Sequence, residues 1–418
     1  MIELTDEQSF VIDEMIAKIK NSNVGRYQKR LTTPFSTTVG GYAGTGKTTL
    51  LSELRKEIFS TFGKFISVAF MSFTGKASSV MSKKLYENGA VFGDDYIGTI
   101  HGLIYKAKTK WDPVLKTHVI VGWDLKEKNE VYHNLFIIDE ASMISKKIWR
   151  DLLKFENPII AVGDHGQLPP VSNDVGYFNL MQYPEYKLTK IHRQALDSPI
   201  IWLSKFIREN KYIPFNKVFA PGAFKLSWNQ DKCKDAWNSI NFDMSTMVLC
   251  GFNTTRANLN DKIRKKLKYR KILPYPGEPI ICLRNNHKIG LMNGQIGKVV
   301  WMMPVRGSMY RVTLDIEGDM LESMLHLSTF GQVQYTMFDK SKEIKKSQEF
   351  ALKHDFNLDF FDYGYVTSVH KAQGSEWNRV VLIEQRSKHW DDDYWARWLY
   401  TGVTRAIDKI FIISDFWG

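Results

Sequence analysis

Residues 37–51 read Thr37-Thr38-Val39-Gly40-Gly41-Tyr42-Ala43-Gly44-Thr45-Gly46-Lys47-Thr48-Thr49-Leu50-Leu51. Within them, Gly41 to Thr48 matches the phosphate-binding pattern G-x-x-x-x-G-K-[ST]. Polyphosphate chemistry accounts for each residue type. Glycines let backbone N–H groups converge on phosphate oxygens where a Cβ would stand in the way. Lys47 offers a compact cation to the β- and γ-phosphates, and Thr48 offers a hydroxyl to magnesium. Phe35 to Val39 has the texture of a short strand. Leu50, Leu51, Leu54 and Ile58 recur at helical spacing, so the loop opens a helix whose positive end faces the ligand. The nucleotide-binding candidates are therefore Gly41, Ala43, Gly44, Thr45, Gly46, Lys47, Thr48 and Thr49, with ATP and Mg2+ as the expected ligands.

The rest of the chain supplies partners for that loop. Thr5 to Lys20 reads as an amphipathic helix on which Thr5 and Gln8 form a capping-box pair. The Gln8 amide has a second reading, the hydrogen-bonding edge of adenine. Leu135-Phe136-Ile137-Ile138-Asp139-Glu140 delivers two carboxylates at the end of an apolar strand. In that setting Asp139 holds hydrated magnesium and Glu140 orients and deprotonates the attacking water. Ile159 to Val162 is a further strand, ending at Gly163-Asp164-His165-Gly166-Gln167, where the neutral Gln167 can sense a γ-phosphate.

The bulk numbers suit a large globular chain. It has 418 residues, 44% hydrophobic and 24% charged, which fits two or three domains. A formal charge of +12 favours phosphate-rich partners, nucleic acid first. No apolar run reaches the length of a membrane span, and MIELTDEQSF is acidic rather than signal-like. Cys233, Cys250 and Cys282 lack metal-ligand spacing and point to a reducing, cytoplasmic setting without zinc or disulfides.

Several stretches have two readings. Thr74-Gly75-Lys76 follows an apolar strand and makes either a routine strand-to-helix turn or a phosphate grip. Lys106 to Trp123 predicts a β-hairpin around Trp111-Asp112-Pro113, with Trp111 either packed locally or exposed as a base-stacking wedge. Seven of the ten residues from Lys262 to Lys271 are Lys or Arg, a pattern that a solvated helix face explains. Asn293 to Ile316 has the alternation of a small antiparallel module, and Asp339 to Lys346 reads as a loop or linker.

Taken in order, GGYAGTGKTT, SFTGKASS, TIHGL, FIIDEAS, GDHGQLPPV, LTKIHRQ, VTSVHKAQGSE and LYTGVTRA resemble the motif series of a superfamily 1 helicase of the RecD/Dda branch. The compact length is similar to that of the Dda type. The resemblance implies an α/β fold of two RecA-like P-loop NTPase domains with a β-hairpin pin and a small β-barrel inserted. It places the first domain at 1–188 (pin about 104–130), the second at 189–290 plus 360–418, and the barrel at 291–359. It implies an ATP-dependent DNA helicase moving 5′ to 3′ on single-stranded DNA. A translocase that displaces proteins with little unwinding and a nucleotide-gated DNA-binding protein are the alternatives, and RNA stays open as a track.

By motif position, Arg193 and Arg405 resemble arginine fingers, Glu376 a ribose contact, and His192 an adenine neighbour. Thr74, Gly75, Lys76, Thr99, His101, Trp111, Asn253, Thr367 and His370 become the DNA-binding candidates. The resemblance further implies single-stranded and forked DNA as partners, replication or recombination proteins beside them, no membrane, and action as a monomer.

Overall fold

The computed structural model describes residues 4–22, 34–112, 117–170, 178–191, 198–214, 218–220, 222–286, 289–333, 342–354, 356 and 358–416. Apart from the tip of one hairpin, residues up to Ile201 form one unit and residues from Trp202 onward a second.

The first unit opens with helix α1 (Asp6–Asn21), strand β1 (Ser36–Gly41) and helix α2 (Lys47–Phe62). Then come β2 (Val68–Ser72), α3 (Gly75–Glu87), β3 (Tyr96–Thr99) and the short α4 (Ile100–Ile104). The hairpin β4 (Tyr105–Asp112) and β5 (Thr117–Leu125) leads to β6 (Leu135–Asp139), α5 (Lys146–Leu153), β7 (Ile159–Gly163) and β8 (Tyr186–Leu188). Six strands build one parallel sheet in the order β3-β2-β6-β7-β1-β8. Side chains leave a strand alternately to its two faces, and here both faces are apolar. Val68, Phe70, Leu135, Ile137, Ile160 and Val162 join the core shared with α1 and α2. Ala69, Met71, Phe136, Ile138, Ile159 and Ala161 join a second core on the other face. Continuous apolar runs in β2, β6 and β7 follow from that two-sided burial.

The helix Pro199–Asn210 carries the chain into the second unit, followed by β9 (Val218–Ala220), β10 (Ala223–Ser227), the helix Asp231–Ser239 and β11 (Thr246–Cys250). The helix Asn253–Lys266 precedes β12 (Pro279–Cys282), β13 (Ile296–Arg306), β14 (Met309–Ile316) and β15 (Asp319–His326). After the helix Lys342–Lys353 come β16 (Leu358–Asp359), β17 (Phe361–Tyr363), β18 (Val366–Ser368), β19 (Trp377–Ile383), the helix Asp392–Val403 and β20 (Ala406–Ser414). One sheet has the order β18-β11-β19-β20-β10-β9, parallel except at β9. The other has the order β16-β15-β14-β13-β12-β17. Its two edge strands are joined by the single residue Phe360, so the sheet curls until its edges nearly meet. It begins at Pro279 and ends at Tyr363, wider than the 291–359 stretch that the resemblance implies. Both sheets share one core, which runs from Val248 and Leu259 to Val299, Val312 and Leu325.

Two local expectations change. The charged stretch around Lys342–Lys346 starts a helix rather than a loop, because Ile344 and Ala351 bury one face of it. The basic run in the helix Asn253–Lys266 is not uniformly solvated. Arg264 is buried, forks onto Glu278 through Nε (2.8 Å) and Nη2 (3.1 Å), and donates to the Tyr363 hydroxyl. Lys266 donates to the carbonyls of Trp237 and Ile240.

A similar pair anchors the helix that follows the phosphate loop. Arg55 Nε donates to Asp95 Oδ2 at 2.8 Å and Nη2 to Oδ1 at 3.0 Å, both side chains being out of solvent. Asp95 also accepts from Val68 N and Phe92 N. Breaking a buried pair from one side leaves a charge without its counterion. Arg55→Ala is therefore expected to cost about 3–5 kcal/mol of unfolding free energy in urea titration. A loss below about 1 kcal/mol, the scale of an exposed pair, would show that water shares this site.

Candidate functional site: the nucleotide pocket and two nucleic-acid faces

The phosphate loop leaves β1 at Gly41 and enters α2 at Lys47. Gly44 (φ 81°) and Gly46 (φ 73°) occupy left-handed backbone that other residues adopt at a cost. A Cβ on Gly41 would stand 2.6 Å from Thr45 Oγ1 and 3.0 Å from Lys47 Cγ. Lys47 Nζ donates to the carbonyls of Gly41 (2.9 Å) and Tyr42 (3.1 Å), so the ammonium is folded into the loop. Gln8 has the capping-box geometry with Thr5. Its Nε2 also donates to the carbonyls of Thr45 (3.3 Å) and Gly46 (3.1 Å), which braces the loop from α1.

Two more strand ends converge on that region because β6, β7 and β1 are neighbours. Asp139 ends β6, and Glu140 N donates to its Oδ1 at 2.9 Å. Burial raises the Asp139 pKa, opposed by the Glu140 N–H and by the charges of Lys47 and Lys84. Glu140 itself sits at φ 55°, ψ 39°, a conformation that costs about 1–3 kcal/mol for a side-chain-bearing residue and is concentrated at functional sites. Gly163, ending β7, lets the turn after Glu140 pack close, since a Cβ there would meet Ser142 N at 3.0 Å. Beyond it, Asp164 closes a tight turn. Its Oδ1 accepts from Gly166 N (2.9 Å) and its carbonyl from Gln167 N (3.2 Å), leaving Gln167 buried. The His165 ring lies 4.0 Å from that of Tyr42, so the Gln167 turn touches the phosphate loop.

These residues fit a magnesium–triphosphate. The loop combines two left-handed glycines, a position where no Cβ is tolerated, and a helix N-terminus aimed at the same point. Thr48 and Asp139 are oxygen donors of the type that magnesium takes alongside phosphates and water. Among the described residues no cluster of three or more His, Cys, Asp or Glu is arranged for a metal.

The nucleic-acid candidates of the first unit fall at the carboxyl ends of β2 and β3. Thr74 caps α3, its Oγ1 accepting from Ala77 N, with Gly75 and Lys76 in the first turn. Thr99 caps α4 in the same way through Gly102 N, and His101 is exposed between Phe73 and Tyr105. Trp111 lies in β4, and its side chain is outside the described residues, as are His192 and Arg193 altogether.

In the second unit the candidates divide between opposite edges of the sheet. Glu376, exposed, and Arg405, buried, precede β19 and β20 at their amino ends. The Arg405 guanidinium donates to Thr401 O, Ser375 O and Thr404 Oγ1, and its carbonyl accepts from Trp377 N. Asn253 and His370 lie at the carboxyl ends of β11 and β18. Asn253 is exposed, whereas Thr367 is 3% exposed inside β18 and offers no open hydroxyl. His370 Nε2 pairs with the Tyr394 hydroxyl at 2.8 Å, and burial lowers its pKa below the ordinary 6.5. The imidazole is therefore neutral at pH 7 and cannot act as a cation toward phosphate. Sequence reasoning missed the Tyr42–His165 contact. The Asp-x-Gly spacing from Asp164 to Gly166 is the local signal that would have marked its turn.

Fold and site define a P-loop nucleotide-binding protein with RecA-like α/β architecture. Two family models match, an AAA domain over residues 27–217 and a UvrD-like helicase C-terminal domain over residues 363–413. The ATP-dependent RecD2 DNA helicase of Deinococcus radiodurans is 25% identical over 67% of this chain and 36% of its own length, so the chain spans about a third of that relative. The RecBCD enzyme subunit RecD of Buchnera aphidicola is 23% identical over 90% of this chain and 70% of its own. The ATP-dependent DNA helicase dda of Enterobacteria phage T4 is 24% identical over 90% and 94%. In fold, the chain is similar to Pif1 helicase from Bacteroides in complex with ADP-AlF3 and ssDNA, with TM-score 0.52, 18% identity, and coverage of 100% and 94%. In sequence the chain is thus similar to superfamily 1 helicases of the RecD/Dda type.

Two outcomes follow from the geometry. Gly41→Ala is expected to weaken binding of a fluorescent ATP analogue at least about tenfold, roughly 1.4 kcal/mol, by displacing Lys47; unchanged affinity would refute the close approach. His370, held neutral in the folded state, stabilises fully above its unfolded pKa and loses that contribution as pH falls through about 6.5. Thermal unfolding of His370→Gln should accordingly be less sensitive to acidification than that of the parent, and equal slopes would disprove it.

Proposed function

We propose that the chain is an ATP-dependent DNA helicase that moves 5′ to 3′ on single-stranded DNA. The observation that carries this reading is the meeting of Lys47, Asp139 and Gln167 at the carboxyl ends of three neighbouring parallel strands. Relatives named as DNA helicases support the activity, while the polarity rests on motif resemblance alone.

In this mechanism Lys47 and the loop amides bind the phosphates, with Thr48 and Asp139 holding magnesium, which neutralises phosphate charge when bound. Glu140 accepts the proton of the attacking water, and Gln167 responds to the terminal phosphate. Arg193 and Arg405 neutralise charge on the equatorial oxygens. Glu376 takes the ribose. Losing the γ-phosphate removes the ligand that these groups share and so changes the hold on DNA. Thr74, Gly75, Lys76, Thr99, His101, Asn253 and His370 grip the strand, and the β4–β5 hairpin with Trp111 separates the duplex.

Lys47→Ala should abolish DNA-stimulated ATP hydrolysis while leaving salt-sensitive binding to single-stranded DNA. Surviving hydrolysis would overturn the site. On the parent, forked duplexes with a 5′ or a 3′ tail read polarity directly. ATP turnover without unwinding would favour a protein-displacing translocase, and weak, DNA-independent turnover a nucleotide-gated binding protein.

A further inference from the structure

At the carboxyl edge of the second sheet, beside Asn253 and His370, stands an aromatic ladder that no nucleotide chemistry requires. Its inner rungs are Trp398, fully buried, and Trp395, with centroids 5.3 Å apart and planes within 10°. On them rests Trp390, 5.9 Å from Trp398 and 6.4 Å from Trp395. Tyr394 (5.2 Å) and His370 (6.1 Å) border Trp390 and are bonded to each other. The outer rung is Phe252, 38% exposed, nearly parallel to Trp390 at 22° with centroids 6.3 Å apart. Trp390 is only half-buried, so the ladder ends at solvent with two like-tilted rings.

A ring this size is normally turned inward, where it stabilises by removing apolar area from water. Here the inward end is already filled by Trp398, and at the outward end Phe252 and Trp390 are exposed or half-buried. Three acidic residues follow Trp390 directly and would repel a polyanion, but each is engaged. Asp391 caps its helix through Tyr394 N (2.7 Å), Asp392 pairs with Arg386 (2.7 Å), and Asp393 pairs with Lys211 (2.6 Å). Lys388 and His389 are exposed immediately before Trp390, in a chain of net charge +12.

We propose that Trp390 and Phe252 form a base-stacking platform for single-stranded nucleic acid on the second unit. The platform holds a base by its π-face, whatever its identity, while neighbouring groups meet the backbone. This rests on the reading of the chain as a protein that travels on a nucleic-acid strand. It adds to that reading a contact with bases where the motif residues offer contacts with phosphate and sugar.

The test compares an oligothymidylate with an oligonucleotide of equal length whose central nucleotides are abasic, using the full chain and fluorescence anisotropy. The parent should prefer the oligothymidylate. Trp390→Ala should bind it about 5- to 100-fold more weakly, bind the abasic strand as the parent does, and keep the same salt slope. Trp390→Phe should recover most of the loss, and Phe252→Ala should show a smaller one. If the alanine variant is poorly folded, the parent's preference and the phenylalanine variant decide the matter. Equal loss on both strands, or a parent that binds both equally, overturns the platform and leaves the motor reading standing. A parent that binds neither strand overturns both.

Discussion

Everything at the pocket depends on the five residues of backbone between a strand end at Gly41 and a helix start at Lys47. From Gly41 to Lys47 the chain turns so tightly that the Lys47 ammonium folds back onto the carbonyls of Gly41 and Tyr42. Gly44 and Gly46 provide the left-handed backbone, and Gly41 provides a surface with no Cβ. The surroundings hold that turn in place. Gln8 ties its carbonyls to α1, and the Arg55–Asp95 pair ties the helix it opens to β2.

Strand order converts this local turn into a site. Because β7 lies between β6 and β1, Asp139 and the Gln167 turn end beside the loop although each comes from a distant part of the chain. The contact of Tyr42 with His165 joins two of these segments directly. In the second unit the same kind of sheet separates groups instead. Glu376 and Arg405 stand at the amino ends of β19 and β20, and Asn253 and His370 at the carboxyl ends of β11 and β18. Seven residues of β19 at about 3.3 Å each put those edges about 20 Å apart. The two groups of residues therefore stand well apart on one sheet.

Buried charge does a different job in the nearly closed second sheet. Arg264 with Glu278, and Arg256 with Asp362, link the helix Asn253–Lys266 to β12 and β17 at its seam. Such pairs add little net stability compared with apolar contacts, but breaking either would leave a buried charge without its counterion. The helix that carries Asn253 on its first turn is thereby fixed to the sheet beneath it.

The sequence by itself determined the elements whose cause is local. The phosphate loop, the apolar strand ending in Asp139 and Glu140, the Thr5–Gln8 cap and the hairpin between residues 105 and 125 all follow from residues within one turn or one strand of each other. Only the tertiary structure decided what depends on distant neighbours. A ten-residue stretch with seven basic residues gives no sign that Arg264 meets Glu278 and Tyr363, and the charged start of the helix Lys342–Lys353 hides the two apolar positions that hold it down. The contact of Phe252 with Trp390 likewise exists because β11 and β19 are adjacent. Pairing between strands is set by burial summed over the whole sheet, and no short stretch of chain contains that sum.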